Sequence, residues 1–170
     1  GHFPVSGIGV TGMPERSVVL VDGPSGSGKT TYARRLADET GMTLVHLDDF
    51  YPGWGGLAEA SRMVVEDVLH PRRPGFWRWD WVNDRRAEWV PLDPADPLII
   101  EGAGAVTGDS IAAASRVGRV RTVRINAPEE VRKERALRRD PDYAPWWEMW
   151  AAQEAVHFAG PGRVTVDEEI

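Results

Sequence analysis

The chain contains 170 residues, of which 42% are hydrophobic and 27% charged, and it has no cysteine. The length fits one domain, the apolar content excludes a disordered chain, and the missing cysteines exclude disulfides, thiol catalysis and thiolate-bound zinc. A net charge of −6 argues against a nucleic-acid or anionic-membrane partner. No apolar stretch approaches ~20 residues, so no membrane span is expected, and without a recognisable secretory signal the cytoplasm is the default location.

Short apolar strands and amphipathic helices alternate along the chain. Residues 1–16 are glycine-rich and are expected to form a flexible leader before a single domain over residues 17–170. The predicted strands cover residues 17–22, 43–47, 97–100, 119–125 and 163–166. The predicted helices cover residues 29–39, 57–69, a short run near 111, a segment beginning at 128, and 146–158. This order predicts a three-layer α/β fold, with a parallel sheet of about five strands flanked by helices.

A glycine-rich turn follows the first predicted strand and matches the phosphate-binding pattern G-x-x-x-x-G-K-[ST]. It reads GPSGSGKT from Gly23 to Thr30. Glycines let backbone N–H groups curl around phosphate oxygens, and the helix N-terminus adds partial positive charge. Lys29 is expected to reach the β- and γ-phosphates, and the Thr30 hydroxyl to ligate Mg²⁺. The predicted contacts to ATP are Gly23, Ser25, Gly26, Ser27, Gly28, Lys29, Thr30 and Thr31.

Acidic residues end three predicted strands: Asp22, Asp48 and Glu101. In an open α/β sheet the ligand lies beyond the carboxyl ends of the strands. Asp48 is therefore expected to accept the proton of an acceptor hydroxyl, and Glu101 to hold Mg²⁺ directly or through water. The predicted metal site comprises Thr30, Glu101 and Asp48. The alternative for Asp48 is a turn or helix cap, and for Glu101 a structural hydrogen-bond acceptor.

Five segments in this order resemble the uridine kinase, phosphoribulokinase and pantothenate kinase group of P-loop kinases. They are GPSGSGKT, LDDFY (47–51), WDWVNDR (79–85), IIEG (99–102) and PEEVRKERALRRD (128–140). The phosphate loop alone belongs to a much larger superfamily. The D-x-F-Y tetrapeptide and the R-x-x-R-x-x-x-R-D run are more discriminating, and the resemblance extends from residue 17 to about 140.

The resemblance implies roles for individual residues. Asp48 matches the catalytic acid of the family, and Glu101 matches its acidic residue near Mg²⁺. Arg139 matches an arginine that contacts phosphate at the base of a lid, and Arg135, one turn earlier on the same helix, is expected to contact ATP as well. Lys29, Asp48 and Arg139 then form the expected catalytic set. The acceptor pocket is expected around residues 70–97 and includes Tyr51, Trp54, Trp79, Asp84 and Arg85.

The chain also departs from uridine kinases. Trp79 replaces their tyrosine, and Asp84 occupies the place of the His that reads the pyrimidine base. Their Glu-Arg-Gly-Arg lid is missing after Asp140, where the chain reads PDYAPWWEMW. The resemblance therefore implies the phosphoryl-transfer machinery and does not carry over the uridine specificity.

The eight tryptophans allow two interpretations. Trp77, Trp79 and Trp81 would share one face of an extended segment, where they would either sandwich a planar acceptor such as a nucleobase or cover residues 70–97, the least regular part of the chain. Trp146 and Trp150 share a helix face, so residues 140–158 are either a lid over the nucleotide or a helix docked on the core.

The leading hypothesis is an ATP- and Mg²⁺-dependent kinase that phosphorylates a hydroxyl of a small molecule, plausibly a nucleoside. A second hypothesis changes the acceptor to another metabolite, such as a sugar or vitamin precursor. A third is an ATP-binding switch with little transfer. The expected partners are a nucleoside triphosphate and a small acceptor, with no nucleic acid and no membrane, and the sequence is compatible with a homodimer.

Overall fold

The computed structural model describes residues 16–170, so the predicted leader lies outside the described residues apart from Arg16. Within this range the strands are β1 (Ser17–Asp22), β2 (Thr43–His46), β3 (Gly75–Asp80), β4 (Arg85–Pro91), β5 (Leu98–Glu101), β6 (Arg119–Arg124) and β7 (Glu168–Glu169). A parallel five-stranded sheet has the order β2-β5-β1-β6-β7, and β3 and β4 form a separate antiparallel hairpin.

The helices of the same range are α1 (Lys29–Thr40), α2 (Leu57–Met63), α3 (Gly108–Val117), α4 (Glu129–Arg139) and α5 (Trp147–Ala159). A π-helical turn, Val64–Val68, extends α2, and 3₁₀ turns occupy Leu47–Asp49 and Pro141–Trp146. No helix among residues 16–170 is long and apolar enough to cross a membrane.

The sheet is buried between two helical layers because successive side chains of a strand point to opposite faces. Val19 and Val21 of β1 pack with Ala33 of α1 on one face. Val18 and Leu20 belong to the larger core on the other face, to which α2, α3 and α5 contribute. β1 lies in the middle and is apolar on both sides, as a central parallel strand requires. The predicted three-layer α/β fold is confirmed.

Residues 70–97 are more regular than their composition indicated. β3 and β4 pair through Trp77 and Trp89, and a β-bulge lies between Trp77 and Trp79. The bulge interrupts the alternation of side chains between the two faces of the strand. This is one reason why the sequence, rich here in proline and tryptophan, did not predict the hairpin. In the connecting turn the Asp80 carboxylate accepts hydrogen bonds from the Val82 and Asn83 N–H groups, and Asp84 has a φ of 51°.

The predicted last strand, residues 163–166, is wrong: β7 covers Glu168–Glu169 instead. The Arg124 guanidinium of β6 donates to the carbonyl oxygens of Gly162 and Val164 at 2.9 and 2.8 Å. This segment is therefore bound by a side chain of β6, and backbone pairing with β6 begins only further along.

The carboxyl ends of β1, β2 and β5 meet at one edge of the sheet. Glu101 at the end of β5 is in register with Val21 of β1 on one side and with His46 of β2 on the other. Residues that follow these strands are thereby brought together, although they are far apart in the sequence.

Candidate active site

The phosphate loop, residues 23–28, joins β1 to α1 in a conformation that depends on glycine. Gly26 and Gly28 have φ angles of 78° and 98°, in the left-handed region. A Cβ at Gly23 would lie 2.2 Å from the Ile125 carbonyl oxygen, and one at Gly26 would lie 2.2 Å from that of Arg132. The loop is thus packed closely against the segment that follows β6, which leaves backbone N–H groups at the N-terminus of α1 for an anion.

Lys29 and Thr30, the first residues of α1, contact groups on either side of the loop. The Lys29 amine donates to the Pro24 carbonyl oxygen at 3.3 Å, so the side chain folds over its own loop. The Thr30 hydroxyl donates to Glu101 Oε2 at 3.1 Å. The structure therefore brings together two of the three residues predicted to hold Mg²⁺.

Glu101 is held from two sides. Its Oε1 lies 2.6 Å from His46 Nδ1, and its side chain is almost fully buried. The hydrogen bond to Glu101 is the main cause that raises the pKa of the His46 imidazole, against the opposing effect of its burial. His46 is the last residue of β2, two residues before Asp48, and this spacing is the sequence signal that could have placed it near the site.

Asp48, the third predicted metal and catalytic residue, lies in the 3₁₀ turn after β2. Asp48 is exposed to solvent as a residue, and protein atoms around its carboxyl group nevertheless remove part of the hydration of that group. This desolvation is the main cause that raises the pKa of the Asp48 carboxyl, while Lys29 and Arg139 oppose the rise and Glu101 adds to it. A carboxylate with a raised pKa is a better proton acceptor than one in bulk water.

Asp22, the remaining strand-end acid, has a structural role. Its Oδ1 accepts from the Gly23 and Gly104 N–H groups at 2.7 and 3.1 Å, and its Oδ2 accepts from that of Val106 at 2.9 Å. His157 Nε2 lies 2.8 Å from Oδ2. Asp22 therefore joins the phosphate loop, the loop after β5 and α5.

Arginine side chains of α4 contact the backbone of the phosphate loop. Arg135 donates to the Gly26 carbonyl oxygen at 3.4 Å, and Arg132 donates to that of Ser25 at 3.3 Å. Arg139 is exposed, and its charge acts on Asp48. The predicted residues Arg135 and Arg139 thus border the loop and the acid. Arg132 was missed, although it lies on the same helix face, three residues before Arg135.

The predicted lid region is docked on the core in this structure. Trp147 and Trp150 of α5 are buried, while Trp146 before the helix is 40% exposed. Glu154 Oε2 accepts a hydrogen bond from the Ser25 N–H at 2.6 Å. Burial raises the pKa of the Glu154 carboxyl, and this hydrogen bond opposes the rise. Sequence reasoning missed Glu154, because no local pattern distinguishes a buried acid on a helix.

The predicted acceptor residues separate into different environments. Tyr51 is buried and donates to the Ala103 carbonyl oxygen at 2.7 Å. Trp79 lines a cavity of about 280 Å³ between the hairpin and α2, together with Trp77 and Arg86. Arg85 is exposed at the start of β4. Burial raises the pKa of the Tyr51 phenol, and the nearby charge of Asp48 adds to that rise.

Trp54 and Asp84 lie at the segment that follows the turn of Asp48. Asp84 Oδ1 would be 3.5 Å from a Cβ placed on Gly53. Trp54 lies at the centre of an aromatic cluster with ring-centroid distances of 5.1 to 6.3 Å to its neighbours Trp81, Tyr143, Trp146 and Trp150. Trp81, which sequence reasoning grouped with Trp77 and Trp79, donates from Nε1 to the Asp48 carbonyl oxygen at 3.1 Å.

The chain is similar in sequence to several known proteins. A family model described as an AAA domain matches residues 18–89. The chain is 40% identical over 80 residues to a probable gluconokinase of Schizosaccharomyces pombe, and 33% identical over 128 residues to a cytidylate kinase of Aeropyrum pernix. These matches include 47% and 71% of this chain. The chain spans 37% and 63% of the lengths of the two relatives.

A solved structure described as a possible uridine kinase from Bacillus stearothermophilus has the same fold. The two superpose with a TM-score of 0.52 at 19% sequence identity, over 93% of this chain and 90% of that one. Fold and site together define a P-loop protein with the fold of small-molecule kinases, and its curated relatives are kinases. The narrower resemblance to the uridine kinase group stays a prediction.

Proposed function

We propose that this protein is an ATP- and Mg²⁺-dependent kinase that transfers a phosphoryl group to a hydroxyl of a small molecule. The observation that carries the proposal is the convergence of three groups at one edge of the sheet. These are the phosphate loop, the Thr30–Glu101 pair at 3.1 Å, and Asp48 with its raised pKa. Phosphoryl transfer needs each of them: a cradle for the triphosphate, oxygen ligands near it, and a proton acceptor.

The residues present suit ATP with Mg²⁺. A threonine hydroxyl and a carboxylate are oxygen ligands of the kind that Mg²⁺ prefers, and phosphate oxygens and water commonly complete its coordination. Among residues 16–170 no group of three or more His, Cys, Asp or Glu side chains is arranged to hold a metal ion without such help. Thr30 and Glu101 would hold the ion, which when bound neutralises charge on the transferring phosphates.

The protein's own residues divide the remaining tasks. The N–H groups of the phosphate loop and the Lys29 amine would bind the triphosphate and orient its γ-phosphate. Asp48 would take the proton of the acceptor hydroxyl, for which its desolvated carboxylate is suited. Arg139, exposed at the end of α4, would stabilise charge on the transferring group. Arg135 would support the phosphate loop through its hydrogen bond to the loop backbone.

The acceptor that we favour is a nucleoside, because an aromatic cluster contacts the turn that carries Asp48 through Trp81. Trp54 and the half-exposed Trp81 and Trp146 offer ring faces to a planar base. The second candidate is a non-nucleoside polyol, favoured by the 40% identity to a probable gluconokinase. A nucleotide-binding switch is the third reading, and it requires ATP binding without transfer to any acceptor.

Coupled ADP release tests the proposal. ATP and Mg²⁺ are supplied with a panel of nucleosides, sugars and other hydroxylated metabolites, and Asp48→Asn is assayed beside the wild type. We expect acceptor-dependent ADP release that falls by about 10²-fold or more in the variant, while ATP binding survives. Asp49→Asn is the matched control, since it removes the neighbouring exposed charge of the same turn.

Each outcome separates the readings. Turnover with nucleosides alone supports the favoured acceptor class, and turnover with sugars alone supports the polyol reading. Full activity of Asp48→Asn would remove Asp48 from the chemistry. ATP binding with no transfer to any member of the panel, together with an ATP-dependent change in assembly state, would favour the switch.

A further inference from the structure

α5 brings a buried carboxylate to the phosphate loop that the mechanism above does not use. Glu154 is 4% exposed, and its Oε2 accepts the Ser25 N–H at 2.6 Å. One turn further along, His157 is 3% exposed and pairs with Asp22 at 2.8 Å. The helix therefore contacts both the strand end before the loop and the loop itself.

The N–H that Glu154 holds belongs to a peptide unit with a second partner. The carbonyl of that unit is that of Pro24, and it accepts from the Lys29 amine at 3.3 Å and from the Ser27 N–H at 3.1 Å. Because a peptide unit is planar, fixing the Ser25 N–H also fixes the direction of the Pro24 carbonyl. One rigid plane thus connects the Glu154 carboxylate to the amine expected to hold the triphosphate.

A carboxylate is a costly residue at this position if only packing is needed. Burial raises the pKa of Glu154, Lys29 and Arg132 lower it, and the charge of Asp22 raises it. Tyr143, on the adjacent 3₁₀ turn, also lies within range of the Glu154 charge. An apolar side chain of similar length would fill the same space without desolvating a charge. The desolvation cost of the Glu154 carboxylate is explained if its oxygen is needed to accept the hydrogen bond from the phosphate loop.

We propose that Glu154 is a positioning residue of the phosphate loop. Through the Pro24–Ser25 peptide it holds the loop and Lys29 in the conformation that binds a nucleoside triphosphate. The inference rests on the proposed function for the identity of that ligand. It adds that α5, which carries Trp150 of the aromatic cluster one turn before Glu154, is part of the nucleotide site.

The test compares two substitutions of similar size. Glu154→Gln keeps an oxygen that accepts the Ser25 N–H, whereas Glu154→Met fills the space and accepts nothing strongly. Glu148→Met is the matched control, because Glu148 lies on the same helix with 87% of its side chain exposed. ATP dissociation constants are measured directly by calorimetry, with a melting temperature for each variant.

We expect Glu154→Met to bind ATP about tenfold more weakly, the loss typical of a charge-assisted hydrogen bond, while its melting temperature is unchanged or higher. Glu154→Gln should stay within about threefold of the wild type, and Glu148→Met should match it. In turnover assays Glu154→Met should raise the KM for ATP and leave the KM for the acceptor unchanged.

Equal ATP affinity of Glu154→Met and wild type would overturn the proposal. So would losses in both Glu154 variants that simply follow their melting temperatures, since that is the behaviour of a packing residue. If the wild type binds ATP but transfers phosphate to no acceptor, the proposed kinase activity is refuted. The comparison of ATP affinities among the Glu154 variants still tests the positioning role. A wild type that binds no ATP refutes both.

Discussion

Gly26 of the phosphate loop packs against the first turn of α4, and this contact allows a quantitative test of the loop. Its φ is 78°, and an added Cβ would lie 2.2 Å from the Arg132 carbonyl oxygen. Gly41, which ends α1, has a nearly equal φ of 74° and nothing within 4 Å of an added Cβ. The two glycines therefore share backbone strain and differ in contact.

The magnitudes follow from that difference. Alanine in the left-handed region costs about 1–2 kcal/mol at either position. At Gly26 the loop or the first turn of α4 must also move by roughly 1 Å to relieve the contact, and overpacking of this kind costs about 1–3 kcal/mol more. We expect Gly26→Ala to lower the free energy of unfolding by about 2–5 kcal/mol, and Gly41→Ala by about 1–2 kcal/mol.

Thermal unfolding and ATP calorimetry check these values. At about 2–4 °C per kcal/mol, Gly41→Ala should lower the melting temperature by roughly 2–8 °C and Gly26→Ala by roughly 4–20 °C. Gly26→Ala should also lose ATP affinity, while Gly41→Ala keeps it. Equal destabilisation with unchanged ATP binding in both variants would refute the argument that the contact with Arg132 shapes the loop.

Two further predictions concern His46 and Trp54. The pKa of His46 is raised, chiefly by its hydrogen bond to Glu101. The protonated imidazole therefore stabilises the folded protein fully below about pH 6.5, and this stabilisation is lost as the pH rises through the raised pKa. Urea unfolding in metal-free buffer from about pH 5.5 to 8.5 should show a larger loss of stability in wild type than in His46→Phe, and parallel profiles would contradict this. Trp54→Ala should raise the acceptor KM about tenfold with little change in the ATP dissociation constant, because Trp54 contacts rings beside Asp48. Trp89→Ala in the hairpin is the control, and an equal rise there would count against the aromatic cluster as the acceptor site.

Local sequence signals predicted the parts of the site that lie at strand ends. The apolar run before Gly23 fixed β1, and the spacing of Lys29 and Thr30 placed them at the start of α1. Asp48 and Glu101 each follow an apolar strand, and parallel register brings such residues to one edge. The 3.1 Å contact between Thr30 and Glu101 is the consequence of those local patterns.

The anchoring of α5 could not be predicted in this way. Glu154 and Ser25 are 129 residues apart in the sequence, and His157 and Asp22 are 135 apart. Helical periodicity identifies which residues share a face, but it does not identify the surface that this face covers. In the sequence, Glu154 looks like an ordinary solvent-exposed glutamate near several tryptophans. Only the folded structure shows that a backbone N–H group lies against its carboxylate.

The tryptophans show that a regular alternation in the sequence can group residues that the fold places in different environments. Alternation placed Trp77, Trp79 and Trp81 on one face, but β3 ends at Asp80, so Trp81 leaves the strand. Trp77 packs against Trp89 and under Arg86, whose guanidinium lies 4.4 Å from its ring.

Trp81 instead joins Trp54 at 5.2 Å and covers the backbone of Asp48. Trp54 also stacks on Trp146 at 5.6 Å, with ring planes 5° apart. Trp81 and Trp146 are each 40% exposed to solvent. We therefore expect an acceptor that is recognised by stacking to contact Trp81 and Trp146. Both adjoin Trp54, and Trp81 donates to the backbone of Asp48, the proposed proton acceptor.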